Sequence, residues 1–232
     1  WRSFDKHNIC SYLGEPRKKN KEFQGILEFL RRSRIAFAVS EPYEAYLTHM
    51  RHFYHNAYID CEVTPVVIKS KVLDKDIIIT KGLIRETLHF RDCPNDPIEF
   101  ESTLVRGCFL RMKYNGPITA RMINKAHVSA PFKYLLDVIL MSLGSRRGGF
   151  DELRETVASA AVALVLNKSF NFSGMIMHHL KEMLTTRKTD QQFLLYPRFL
   201  RMMIDRQAPN LPKNRLDVIQ MDHMKENVLD RM

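Results

Sequence analysis

The sequence lacks most of the residue patterns that mark a catalytic or metal centre. Only four cysteines occur in 232 residues, at Cys10, Cys61, Cys93 and Cys108. No two have the spacing of a zinc knuckle, and a chain of this length can bury a core without disulfide staples. A reducing compartment, cytoplasm or nucleus, is the expected setting. There is no Gly-rich phosphate loop, no GxSxG, no HExxH, no Asp-Thr/Ser-Gly of an aspartic protease and no aspartate pair of a polymerase palm. A binding or structural role is expected ahead of catalysis, with no cofactor and no metal. No apolar run approaches the ~20 residues that a bilayer demands, so membrane insertion is not expected. Acidic residues are also short: 26 Asp+Glu face 36 Lys+Arg, a formal net charge of +10. A surplus of this size favours polyanionic partners such as RNA, DNA or an acidic membrane surface. The chain opens on Trp1 rather than Met and is expected to be a piece of a longer polypeptide.

Helical pattern is what the chain has in quantity. Val157 to Leu166 is apolar except for Ser159 and rich in alanine, which suits a helix buried on every side. Val162 and Leu166 are expected to be fully buried. After a polar joint from Asn167 to Ser173, capped by Asn171 or Ser173, the chain turns back on itself through Asn171-Phe172-Ser173 into a partner helix, Met175-Ile176-Met177 to Leu184. The adjacent His178 and His179 must face different ways, one of them to solvent. Further helices are expected over Lys21 to Arg32, from Ser40-Glu41-Pro42 through His55, after a Thr80 cap, over Phe100 to Met112, from Pro131 through Leu143, and over Phe193 to Arg206. In the last of these, Arg198, Arg201 and Arg206 are placed outward. Ile35 to Val39 reads as a brief extended or buried segment. β-Branched residues from Val63 to Thr80, broken at Asp74-Lys75-Asp76, predict a hairpin or two to three short strands.

The expected fold class is therefore mainly α, about eight helices with one small β-hairpin at about 63–80. It forms one domain or two closely packed lobes. The lobes would be 1–92, with the basic helix and the hairpin, and 93–207, the helical core, split at the loop Arg91 to Pro97. The stretch 208–232 is amphipathic at best and reads as a tail detached from the core.

Candidate binding chemistry concentrates in charge. Arg17, Lys18, Lys19 and Lys21 precede the helix of Phe23 to Leu30, and Arg31, Arg32 and Arg34 follow it. Up to Arg34, nine Lys/Arg stand against four Asp/Glu, half of the whole surplus. Arg146 and Arg147 form a smaller cluster. Such side chains neutralise phosphates without reading sequence. A solvated face, with cations favoured at a helix C-terminus, is the plainer account of part of the cluster. No RNP-type aromatic motif accompanies these residues, so base-specific readout is not expected. His49, His52 and His55, with Cys61 six residues on, have short ligand-like spacings. Steps of three fan the imidazoles around a helix, and a solvated face is expected there rather than a metal site. The two sequons at Asn167 and Asn171 are read as helix capping, not glycosylation.

Taken in order, the landmarks resemble a known family. They are His7-Asn8 with Tyr12-Leu13, Phe23 to Phe29, Ile35-Ala36-Phe37-Ala38, Tyr43 to Phe53, Ile77-Ile78-Ile79-Thr80 and Ile84-Arg85-Glu86-Thr87-Leu88. Pro131-Phe132-Lys133-Tyr134, Asp151-Glu152-Leu153, Asn167 with Phe170-Asn171-Phe172-Ser173, and Tyr196-Pro197-Arg198-Phe199 complete the series. The chain resembles the gag-like amino-terminal region of plant long-terminal-repeat retroelement polyproteins over roughly Lys6 to Gln207. The resemblance implies a retroelement origin and a structural role in particle assembly or packaging of element RNA, and it supplies no catalytic residues. The expected function is a gag-like protein that associates with itself and binds RNA non-specifically. The alternative is a monomeric, domesticated transposon-derived module acting on DNA or chromatin.

Overall fold

The alanine-rich run folds as expected into the helix against which its neighbours stack. The computed structural model describes residues 7–117, 123–146, 149, 151–186 and 194–232. Among them the α-helices are α1 (Gln24–Arg32), α2 (Ala36–Ser40), α3 (Leu47–Asn56), α4 (Lys81–Thr87), α5 (Ser102–Arg111), α6 (Ala130–Leu143), α7 (Glu155–Val165), α8 (Phe172–Thr185) and α9 (Pro197–Gln207). Short 3-10 turns precede α1 and punctuate the last 20 residues. Strands β1 (Tyr58–Asp60), β2 (Val67–Val72) and β3 (Lys75–Ile79) form an antiparallel sheet in that order, with Ser70 opposite Ile77. A second, two-stranded pairing joins β4 (Ile123–Asn124) to β5 (Glu152–Leu153). The class is mainly α with a small antiparallel sheet. No helix among the described residues is long and apolar enough to cross a membrane.

Helix α7 is buried from Thr156 to Leu164 and packs on both α5 and α6. Its alanines explain the fit, because a methyl side chain lets neighbouring helices approach without leaving a void. Val162 is fully buried, as expected, but Leu166 is only half-buried. The helix ends there: Asn167 takes a left-handed conformation, φ 49°, and the Lys168 N–H returns to the Ala163 carbonyl at 2.9 Å. That closure carries Leu166 off the buried face.

Helix α8 then starts on an Asn171 cap, whose side chain accepts the Gly174 N–H at 2.6 Å. Only glycine fits at 174, since an added Cβ would lie 2.7 Å from Asn171 Cγ. The same Asn171 donates its amide to the Pro94 carbonyl and its backbone N–H to Pro97, each at 2.9 Å. The loop 91–97, read as a possible division between lobes, is thus fastened to α8. One buried apolar cluster runs from Ile9 to Leu229 across it.

Four boundaries differ from expectation. Residues 36–40 are a helical turn rather than an extended piece, with Ile35, Ala38 and Val39 buried as the other half of that reading had it. Ser40 closes α2 instead of opening α3, because Pro42 pushes Glu41 into an extended conformation. Helix α3 begins at Leu47, after Tyr46 has been drawn into a bridge with Val218. Helix α9 begins at Pro197, behind a left-handed Tyr196 (φ 53°). The stretch after 208 is not detached. Its Ile219 N–H reaches the Ala45 carbonyl and its Met224 N–H reaches Cys10, both at 2.8 Å, and Leu229 is buried. Backbone pairing of this kind leaves no periodic trace in the sequence.

Candidate nucleic-acid interface

The basic cluster around α1 divides once its partners are in place. The Arg17 guanidinium pairs with Glu226 at 2.9 Å and Asp230 at 3.2 Å, and Lys19 pairs with Asp230 at 2.8 Å. These contacts fasten the carboxy-terminal stretch to the start of α1. Arg31 lies along residues 13–15, giving hydrogen bonds to the carbonyls of Leu13 (2.6 Å) and Gly14 (2.9 Å) and pairing with Glu15 at 2.7 Å. Arg34 donates to the Asn167 side chain at 2.8 Å and to the Lys168 carbonyl at 3.1 Å. Lys18, Lys21 and Arg32 are exposed and make no ion pair among the described residues. Arg146 donates to the Gly149 and Glu152 carbonyls beside β5, away from this face. Arg147 lies outside the described residues.

Two of the predicted cations meet in a groove that the sequence did not point to. It encloses about 700 Å³ and is walled by α1 through Gly25, Glu28, Phe29 and Arg32, and by the end of α7 through Leu164, Val165 and Asn167. Arg34 and Arg91 complete it. Arginines gather here for a local reason: α1 and α7 both end at the groove, and cations are favoured at helix C-termini. Three guanidinium groups stand against the single carboxylate of Glu28. Arg91 had no neighbouring cation in sequence to mark it; only the fold brings it to Arg32 and Arg34.

The largest departure from the sequence reading is on α9. Arg198 is 1% exposed and Arg201 is 0% exposed, although both were placed outward. Neighbouring elements cover this helix on several sides, with contacts to α3, α4 and β3 as well as to residues 7–9. Arg198 is saturated by backbone carbonyls: Nε to Asn8 at 3.0 Å, one terminal nitrogen to Glu41 at 2.6 Å, and the other to Ala38 at 2.6 Å and Ile9 at 3.5 Å. Burial pulls it down to about 10, which leaves it charged at neutral pH. Arg201 grips both oxygens of Asp205, reaches His49 Nδ1 and lies 4.9 Å over the Tyr46 ring. His49 is therefore part of a buried contact, not of a solvated face, and burial with Arg201 nearby lowers its pKa. His52 Nδ1 accepts the Leu73 N–H at 3.2 Å, and His55 is exposed. Among the described residues no three His, Cys, Asp or Glu side chains converge as a metal-ligand set.

The resemblance motifs supply the rest of this buried system. Asn8 Oδ1 accepts the N–H groups of Arg198 (3.0 Å) and Phe199 (3.1 Å), capping α9 from the other end of the chain. The Asn8 amide gives a hydrogen bond to the Ser142 carbonyl at 3.0 Å, and His7 Nε2 accepts the Tyr196 N–H at 2.8 Å. The Tyr196 hydroxyl donates to the Leu143 carbonyl, so the His179 Nδ1–H, 2.7 Å away, donates to the hydroxyl oxygen. His178 on the next position is exposed, as adjacency required. Burial lowers both His7 and His179 to about 3, and each ring is neutral. Asp92 caps α8 through the Ser173 N–H at 2.6 Å and also binds Arg85. The Lys125–Asp137 pair is buried at the foot of β4, with the Asp137 carboxyl raised by burial.

No family model matches the chain, and no curated protein or solved structure matches it either.

Proposed function

We propose that this chain is a non-enzymatic, gag-like structural protein of retroelement origin, which associates with itself and binds RNA through charge without reading its sequence. The observation that carries RNA binding is the α1–α7 groove, where Arg32, Arg34 and Arg91 converge against one carboxylate. Guanidinium forks match phosphate oxygens, and such pairing is sequence-independent. Lys18 and Lys21 extend the positive face around the start of α1. Arg17, Lys19 and Arg31, each paired within the chain, serve chiefly to hold it together. Origin and self-association rest on the ordered series of short matches to the family. The non-catalytic role is supported by the buried ionisable side chains, which are engaged by backbone groups, helix ends and one another.

The test is fluorescence anisotropy of a labelled 20-nucleotide RNA across a salt series. A log–log slope of about −2 to −4 is expected, at about −0.7 per phosphate neutralised on a single strand. Arg32→Glu with Arg91→Glu should weaken binding at least tenfold and flatten the slope, with unchanged melting. Parental affinity and slope in that double variant would remove the groove from the reading. Light scattering over a concentration series, with and without RNA, tests assembly. A dimer or larger particle supports the gag-like role. A monomer at every concentration favours instead a domesticated module acting on DNA or chromatin.

A further inference from the structure

The groove holds an aromatic ring as well as cations. Phe29 is 36% exposed, the only large apolar side chain of α1 left in water to that degree, and among the described residues it meets no other ring. It stands one turn before Arg32 and one turn after Gly25, so the three share a face of α1. At Gly25 a Cβ would meet nothing within 4 Å, which leaves the approach to the ring open. Opposite stand Leu164 and Val165, apolar walls at the end of α7. A purely electrostatic phosphate site has no use for an exposed phenyl ring facing aliphatic walls. An unpaired base does, because its flat face stacks on an aromatic ring while cations hold its phosphates. A base inside a duplex cannot present that face.

We infer that the groove is a single-strand site, in which one unpaired base stacks on Phe29 while Arg32, Arg34 and Arg91 hold the flanking phosphates. This rests on the charge-based RNA reading above and adds the class of nucleic acid to it. The test compares three fluorescein-labelled probes: a 12-nucleotide oligouridylate, an abasic 12-mer with the same phosphate count, and a 12-base-pair RNA duplex. The parent protein should bind the oligouridylate about tenfold more tightly than the abasic strand. Phe29→Ala should abolish that preference while keeping the salt slope on the abasic strand, and Phe29→Trp should restore it. Both variants should stay folded, with Phe29→Trp melting close to the parent and Phe29→Ala somewhat below it, since the ring is partly covered. Equal affinity of the parent for oligouridylate and abasic strand, or an undiminished preference in Phe29→Ala, would overturn the stacking site and leave the charge-based reading standing. Absence of salt-dependent binding to any of the three probes would overturn both.

Discussion

Arg31 and Arg198 bind the same stretch of chain in two different media. Arg31 gives its hydrogen bonds to the carbonyls of Leu13 and Gly14, and Arg198 gives its to Asn8 and Ile9. Arg31 does so at the surface and Arg198 in the core. A hydrogen bond adds a net ~0.5–1.5 kcal/mol in either place, but a buried acceptor left unpaired costs a further ~1–3 kcal/mol. Loss of Arg31 lets water take over its carbonyls. Loss of Arg198 leaves several carbonyls facing one another around a void. The contact geometry is alike, and the medium decides which arginine the fold depends on.

The largest break in this comparison should come from Arg198→Ala, at about 4 kcal/mol by urea unfolding. Arg31→Ala should cost well under 1 kcal/mol. Near-equal losses would mean that burial does not separate them.

Lowering the pH probes the same core by another route. His7 and His179 are held near 3 by burial first, helped for His7 by His179 and for His179 by His178, against an ordinary value of 6.5. The unfolded chain takes up these protons as pH falls below 6.5 and the folded chain does not. Stability is thus full above pH 6.5 and declines through the window down to about 3. At pH 5.5 each histidine should cost about 1.4 kcal/mol relative to pH 7.5. Asp137, raised by burial, takes up its proton earlier in the folded state and opposes the decline at lower pH. Urea midpoints at the two pH values should show the fall, and His179→Gln should remove the His179 share, about 1.4 kcal/mol. A flat profile would place charged imidazoles in the core.

The smallest effect sharpens the surface half of the comparison. Lys19→Glu with Arg31→Glu breaks pairs to Asp230 and Glu15, so the thermal midpoint should drop slightly and amides near 224–230 should exchange faster. Lys18→Glu with Arg32→Glu breaks no ion pair among the described residues, and its midpoint should match the parent. Reversed ranks in a pair of melting curves would contradict the division of the basic cluster.

The parts of this fold legible in sequence are those that local chemistry decides. Ala158, Ala160, Ala161 and Ala163 announce a helix buried on all sides, Thr80 accepts the Leu83 N–H as a cap should, and the β-branched residues on either side of Asp74-Lys75-Asp76 mark the pairing of β2 with β3. Arg198 and Arg201 were misplaced because helical periodicity assigns every charge to water. Nothing near them in sequence reveals the carbonyls of residues 8, 9, 38 and 41 that receive Arg198. The groove was half legible: Arg32 and Arg34 lie in a visible cluster, while Arg91 reaches it only through folding, and nothing in the sequence singled out Phe29. The carboxy-terminal stretch was misread for the reverse reason, since its attachment runs through backbone groups and scattered acidic residues.

The capping of α9 by Asn8 also fixes an order of events during synthesis. The hydrogen bond from the Arg198 N–H to Asn8 spans 190 positions. At about 5–20 residues per second, residues 7–9 wait roughly 10–40 s after emerging before their partners exist. Through that interval the Asn8 amide can find the Ser142 carbonyl once α6 exists, but Asn8 Oδ1 and His7 Nε2 have only water to bind. Contacts this distant in sequence are late and slow to form. The fold therefore closes late: α9 arrives, takes the waiting segment, and locks a ring of chain between positions 8 and 198 that could not have formed sooner.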